Sequence, residues 1–228
     1  MGQATLDAHH IAVEGPIGVG KTSLVERLAA RFEGVKVLED VQNPFLEAFY
    51  RGKEGAAFQV QIFFLLSRHR QHLEIAQMGL FERLVVADYT MAKDRIFARL
   101  NLDDEEFRLY DRLYQLLTPQ LPRPDLVIYL EASVETCLRR IRMRGREYER
   151  SIEPEYLRQL KDAYNAFFYR YTDTPLLVVN TDEIDFVKNP ADFEDLVREI
   201  ARIKKGTHVY VPLGSGARTE TGRSEPAN

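Results

Sequence analysis

The sequence predicts an α/β fold of three layers, a five-stranded parallel sheet with helices on both faces. Short apolar, β-branched runs alternate along the chain with segments of helical periodicity, the pattern of strands joined by helical crossovers. The runs are mostly apolar throughout, as strands buried on both faces are. The first run also leads through a glycine-rich turn straight into an amphipathic segment.

The five strands expected are His10–Glu14, Val35–Glu39, Leu84–Asp88, Leu126–Glu131 and Leu176–Asn180. Between them, Leu24, Leu28 and Phe32 mark one amphipathic helix, and further helical patterns span Phe58–Ile75, Phe107–Leu117, Val134–Met143 and Pro154–Tyr171. Val35–Glu39 and Leu84–Asp88 both end in a carboxylate, and the carboxyl ends of parallel strands line the ligand crevice of an open sheet. The connections are short and rich in Pro, Asp and Asn, and no internal repeat is visible. One domain is expected over residues 1–205. Residues 206–228 are expected to form a tail, with the last fifteen or so lacking periodic apolar residues and reading as disordered.

A chain of 228 residues with 45% apolar content has material for one substantial core. Its net charge of −4 argues against the broad basic footprint of sequence-independent nucleic-acid binding. No run approaches the ~20 apolar residues of a membrane span, and MGQATLDAHH lacks the apolar stretch of a secretory signal. A cytoplasmic chain without nucleic-acid or membrane partners is therefore expected. Cys137, the single cysteine, sits among Leu138 and Ile141 at helical spacing and reads as a buried thiol.

The strongest chemical signal is Gly15-Pro16-Ile17-Gly18-Val19-Gly20-Lys21-Thr22, a full G-x-x-x-x-G-K-[ST] match between a strand and a helix. Glycines let successive backbone N–H groups turn inward around phosphate oxygens, and the following helix adds its positive end. Lys21 would reach the β- and γ-phosphates of a nucleoside triphosphate and Thr22 would ligate Mg²⁺, so the three-layer fold is expected to be that of a P-loop NTPase. A switch GTPase would need an Asp-x-x-Gly after the third strand and an Asn-Lys-x-Asp motif. Asp88-Tyr89-Thr90-Met91 and Asn180-Thr181-Asp182-Glu183 supply neither.

Arg139, Arg140, Arg142, Arg144, Arg146 and Arg150 crowd twelve residues of an otherwise acidic chain. Guanidinium groups closing over a triphosphate offset the charge that phosphoryl transfer spreads over its oxygens. Arg140 and Arg144 share a helix face at i, i+4, and Gly145 then releases the chain into a loop carrying Arg146, which reads as an Arg-rich lid. A solvated face paired with Glu147 and Glu149 is the plainer alternative.

On the acceptor side, Glu39 is placed to take the proton of an attacking hydroxyl. Asp88 ends the third strand beside the phosphate loop, where a carboxylate orients Mg²⁺ through water. Gln61, Phe64, Leu65 and Arg68 fall on one helical face that offers an amide, a ring and a guanidinium, although such a face is often only core.

These segments resemble the deoxynucleoside kinases, and within them the bacterial deoxyguanosine and deoxyadenosine kinases, from about His10 to Ile203. The resemblance rests on GPIGVGKT, on Asn43-Pro44-Phe45-Leu46 leading to Phe49-Tyr50, and on FQVQIFFLLSRHR, VVADYT, PDLVIYLEAS and RGREYE followed by Tyr156-Leu157. It implies ATP as donor with Mg²⁺, a deoxynucleoside as acceptor and a homodimer formed through a helix bundle. It further implies Glu39 as general base for the 5′-hydroxyl, Tyr50 and Glu149 on the sugar 3′-hydroxyl, and Gln61 with Arg68 toward the base. Asp94 would face the base, and Arg140, Arg144 and Arg146 would meet the donor phosphates. Many family members carry an acidic residue, Arg and Ser after the third strand, where this chain has Asp88-Tyr89-Thr90. The arginine's phosphate or carboxylate contact is thereby left without a source.

The activity expected is phosphorylation of a purine deoxynucleoside, deoxyguanosine before deoxyadenosine or deoxycytidine. A nucleoside monophosphate kinase such as thymidylate kinase is the competing enzyme. It would want extra cations near the acceptor helix, for which Arg51, Lys53, Arg68 and Arg70 are the candidates. A nucleotide-binding module without turnover is the third reading.

Overall fold

The computed structural model describes residues 6–40, 42–78 and 84–212. Six parallel strands form one sheet: β1 (His10–Glu14), β2 (Val35–Val37), β3 (Val85–Ala87), β4 (Leu126–Glu131), β5 (Leu176–Asn180) and β6 (Thr207–Tyr210). Their spatial order is β2-β3-β1-β4-β5-β6. The helices are α1 (Lys21–Arg31), α2 (Leu46–Tyr50), α3 (Ala56–Met78), α4 (Met91–Asn101), α5 (Asp104–Leu117), α6 (Val134–Arg144), α7 (Pro154–Phe168) and α8 (Pro190–Arg202). A 3₁₀ turn at Glu147–Ser151 follows α6.

Period-two alternation sends neighbouring strand residues to opposite faces. Ile11 and Val13 of β1 pack with Leu126, Ile128 and Leu130 of β4 against Leu24 and Leu28 of α1, Ile141 of α6, and Leu196 and Val197 of α8. On the other face, Ala12, Val127, Tyr129 and Leu176 meet Ile96 of α4 and Leu160, Tyr164 and Phe168 of α7. Leu65, Met91, Ala98 and Tyr110 knit α3, α4 and α5 together. The result is the three-layer arrangement expected.

The sheet has six strands, not five. The sixth runs parallel to β5 with Leu176 opposite Thr207 and Val179 opposite Tyr210, so the sheet continues past Lys205 into the stretch read as tail. It is a short edge strand with little burial, and Val209 is exposed, which removes the apolar signal that marks the inner strands. The expectation of disorder for the last residues falls on 213–228, outside the described residues. Val35–Glu39 and Leu84–Asp88 are shorter as strands than expected: the strands are Val35–Val37 and Val85–Ala87, with Leu38, Glu39, Leu84 and Asp88 just outside them.

β1 is the position where the chain switches direction across the sheet: β2 and β3 lie to one side, β4 to β6 to the other. A crevice therefore opens beyond its carboxyl end, where two connections leave toward opposite faces.

Candidate active site

One cavity of about 1050 Å³ occupies that crevice. Its walls join the phosphate loop, the ends of β2 and β3, the inner face of α3, the start of α4, and the lid. Two loop glycines sit where no other residue fits. Gly18 has φ 82°, and a Cβ there would lie 2.6 Å from the carbonyl oxygen of Cys137. Gly15 has φ 144° and is pressed against the carbonyl of Leu130. Both demand backbone freedom and close approach together. Ile17, Gly18, Val19, Gly20, Lys21 and Thr22 all line the cavity, whereas Gly15 and Pro16 shape it from behind. Lys21 Nζ donates to the carbonyls of Gly15 at 2.7 Å and Pro16 at 3.0 Å. Desolvation within the loop and repulsion from Lys93 pull its ammonium down to about 8.

Asp88 ties the loop to the acceptor side. Its Oδ2 accepts from Thr22 Oγ1 at 2.8 Å, and its Oδ1 accepts from the Glu39 backbone N–H at 2.7 Å. A hydroxyl and a carboxylate so placed are hard oxygen donors of the kind Mg²⁺ takes alongside nucleotide phosphates. No group of three or more His, Cys, Asp and Glu suited to a metal occurs among the described residues.

Glu39, just past β2, turns its carboxylate into the same cavity. Arg68 of α3 holds Oε1, and Lys93 of α4 donates to Oε2 at 2.6 Å. Burial alone would raise this carboxyl, but Lys93 and Arg68 outweigh it and hold Glu39 well below the ordinary carboxylate range. Arg68 is 3% exposed, stacks over the Phe64 ring at 4.8 Å, and carries its second ion pair to Asp94. Gln61, two turns earlier on the same face of α3, is 2% exposed and lines the cavity, and its side-chain oxygen takes no hydrogen bond.

Asp94 departs from its expected place. It is fully buried, accepts from Arg68 and from the Tyr110 hydroxyl at 2.9 Å, and does not line the cavity. Arg68 stands between it and any ligand.

The lid is also arranged differently from a row of open arginines. Arg140 donates to the Val19 carbonyl at 2.8 Å and to Thr181 Oγ1 at 2.9 Å, clasping the phosphate loop to the end of β5. Arg144 forks onto Glu149 at 2.7 and 3.0 Å, and Arg146 approaches the same carboxylate at 3.5 Å. All three arginines line the cavity, as does Glu149. Tyr50 lines it opposite, its ring stacked on Tyr148 of the 3₁₀ turn at 6.1 Å. Burial first, then Tyr156 and Glu149, push the Tyr50 phenol well above its usual range.

Two residues of consequence carry no sequence motif. Lys93 lies in the first turn of a helix that the apolar pattern does not reveal. Glu14, at the end of β1, is fully buried and accepts from the Thr90 backbone at 2.5 Å and the Thr90 hydroxyl at 2.8 Å. The loop from Asp182 to Lys188 likewise lines the phosphate-loop end of the cavity. Of Arg51, Lys53, Arg68 and Arg70, only Arg68 reaches the cavity, and two carboxylates already hold it. A further cation in that wall is Lys93, held by Glu39.

The family model for deoxynucleoside kinases matches residues 11–204. The chain is 37% identical over 202 residues to the deoxyguanosine kinase of Bacillus subtilis (strain 168), covering 86% of this chain and 98% of that one. It is 32% identical to the deoxyadenosine/deoxycytidine kinase of the same organism, with 85% and 92% covered. A deoxyadenosine kinase from Dictyostelium discoideum is 37% identical over 188 residues, with 78% of this chain and 75% of that one covered. Among solved structures, the M. mycoides deoxyadenosine kinase with bound dATP superposes with a TM-score of 0.73 at 28% identity, covering 84% of this chain and 98% of that one. With loop, carboxylate and lid gathered in one crevice, and with this agreement along nearly the whole fold, the chain belongs to the deoxynucleoside kinase family, phosphotransferases that act on a hydroxyl group.

Proposed function

We propose that the chain transfers the γ-phosphate of ATP to the 5′-hydroxyl of a purine deoxynucleoside, deoxyguanosine preferred, in nucleotide salvage in the cytoplasm. The observation that carries the reading is Glu39, aimed into the cavity and joined to the phosphate loop through Asp88 and Thr22. A carboxylate offers about four lone-pair sites, so Glu39 can accept an acceptor hydroxyl while Arg68 and Lys93 hold it. The hydroxyl proton passes to Glu39, the oxygen attacks the γ-phosphorus, and ADP leaves against Lys21 and the loop N–H groups. Thr22 and Asp88 would hold Mg²⁺, which when bound neutralises charge on the phosphates. Arg140, Arg144 and Arg146 would meet the donor phosphates. Arg144 and Arg146 would come free of Glu149 as that carboxylate and Tyr50 engage the sugar 3′-hydroxyl.

Gln61 supports the base side, because its buried, open acceptor suits an N–H of either purine. Asp94 would act on the base through Arg68. The order of preference draws on the Bacillus subtilis deoxyguanosine kinase, aligned over nearly its whole length. The deoxyadenosine kinases among the similar proteins favour deoxyadenosine as the second reading.

The exposed apolar residues Leu66 and Leu73 on α3, and Leu109 and Leu116 on α5, fall seven apart on adjoining helices. They support a homodimer built on those two helices.

Turnover of the four deoxynucleosides with ATP and Mg²⁺ tests the acceptor. Deoxyguanosine should give the highest kcat/KM, and preference for a pyrimidine would overturn the purine reading. Gln61→Leu leaves a base N–H unpaired at a cost of about 1–3 kcal/mol, and should weaken the best substrate most. An unaltered base preference in that variant would reduce Gln61 to packing.

A further inference from the structure

The position directly after Asp88 brings no charge to the site. Tyr89 is fully buried, donates its hydroxyl to Gln71 Oε1 at 2.8 Å, and meets the His72 ring edge-on. The cation on this side comes from one helical turn further along. Lys93 has a side chain only 5% exposed, donates to Glu39 at 2.6 Å, and lines the cavity. Removing an ammonium from water at such a place is costly unless an anion sits beside it.

Lys93 and Arg68 hold the same carboxylate, but their positions are unequal. Arg68 is also paired with Asp94, which lies behind it and away from the cavity. Among the described residues, the one ion pair of Lys93 is with Glu39. Glu14 also feels the Lys93 charge, yet its oxygens are engaged by Thr90 and Tyr164. Once Glu39 takes the acceptor proton it becomes neutral. Arg68 then still has Asp94, while Lys93 has lost its hydrogen-bonded anion inside a buried wall. At that moment negative charge arrives on the phosphoryl group bonding to the very oxygen whose proton Glu39 has taken.

We infer that Lys93 is a catalytic residue whose ammonium passes from Glu39 to the transferred phosphoryl group as the new O–P bond forms. The inference rests on the base role proposed for Glu39. The acceptor O–H bond breaks and its proton goes to Glu39. The acceptor oxygen bonds the γ-phosphorus, and the bond from that phosphorus to the bridging oxygen breaks with its electron pair leaving on ADP. Lys93 keeps its three protons throughout. The repulsion that Lys93 exerts on Lys21 fits the same picture, since two cations facing one cavity are relieved by an anion between them.

The test uses Lys93→Met and Lys93→Arg in the full chain, with Lys93→Gln as the second neutral variant and circular dichroism to confirm folding. Calorimetric titration without ATP compares the deoxynucleoside that the wild type phosphorylates fastest with its own 5′-monophosphate. Losing one charge-assisted hydrogen bond should weaken monophosphate binding in the neutral variants by roughly 10- to 100-fold, with deoxynucleoside affinity at the wild-type level. Their kcat should fall by about 100-fold or more at unchanged KM for ATP, and arginine should restore part of both losses. Equal loss of nucleoside and monophosphate affinity, or no loss of either, overturns the inference. Glu39→Gln measured alongside keeps the two readings apart. Full turnover in that variant removes the base assignment and with it the handover from Glu39, whereas monophosphate affinity, read without catalysis, decides by itself whether Lys93 meets the phosphoryl group.

Discussion

As the proposed base, Glu39 would have to be ionised to accept a proton, yet it sits where water is scarce, and those requirements conflict. Lys93 and Arg68 resolve the conflict by outweighing burial, so the carboxyl is held well below the ordinary carboxylate range. Glu39→Gln keeps the shape and removes the proton acceptor, so kcat should drop by about 10²–10⁴-fold with ATP affinity unchanged. Steady-state rates together with ATP titration check this, and an undiminished kcat would reject the role. The acidic limb of the kcat/KM profile should lie below the ordinary carboxylate pKa of about 4. Lys93→Met should move that limb to higher pH, since it removes a charge that favours the ionised form. Glu39 and Asp88 were legible as strand-end carboxylates, and the phosphate loop as a motif. Lys93 was not, because one buried lysine looks like any other until the carboxylate it faces is known.

At the scale of elements, α4 shows why some helices escape a reading by apolar period. The inward face of Met91–Asn101 includes Lys93 and Asp94, so the residues that serve the site interrupt the stripe that would announce the helix. The case of α8 is different. Asn189 caps its start, and Phe193, Leu196, Val197 and Ile200 form a complete stripe, a signal present in the sequence that the five expected helices leave out. The lid was readable as an arginine cluster, but not the division of labour within it, in which Arg140 clasps the phosphate loop while Arg144 and Arg146 hold Glu149. In α3 one face serves the cavity while the other leaves Leu66 and Leu73 uncovered. If α3 and α5 form the dimer seam, Leu73→Glu combined with Leu116→Glu should yield monomers by light scattering, with the secondary structure retained. Wild type that is itself monomeric at micromolar concentration would remove the seam.

Across the whole molecule, the parallel three-layer arrangement follows from the alternation of strands and helices, whereas the strand order does not, and the sixth strand escapes the sequence because an exposed edge strand buries too little to be read. The fold also shelters a histidine pair unrelated to catalysis. His10 and His72 lie with their rings 6.5 Å apart, both almost fully buried. Burial, followed by the neighbouring His10 and Arg68, pushes His72 down from 6.5 to about 3. Burial also lowers His10, against an opposing pull from Asp125. A histidine depressed in the folded state binds fewer protons there than in the unfolded chain between those two values, so stability is full above pH 6.5 and declines as pH falls toward 3. Denaturant melts at pH 7.5 and 5 should show the loss, and His72→Phe should flatten it. An identical slope in that variant would show that other groups set the acid sensitivity.

Glu14 joins the strand that feeds the phosphate loop to Thr90, at the threshold of α4, in the interior of the protein. Donor and acceptor chambers are thereby indexed to each other by the folded frame itself, before either is filled. If the lid arginines close over the donor as proposed, they exclude solvent and complete the charge around the phosphates, while the line along which the two reactants meet is already drawn.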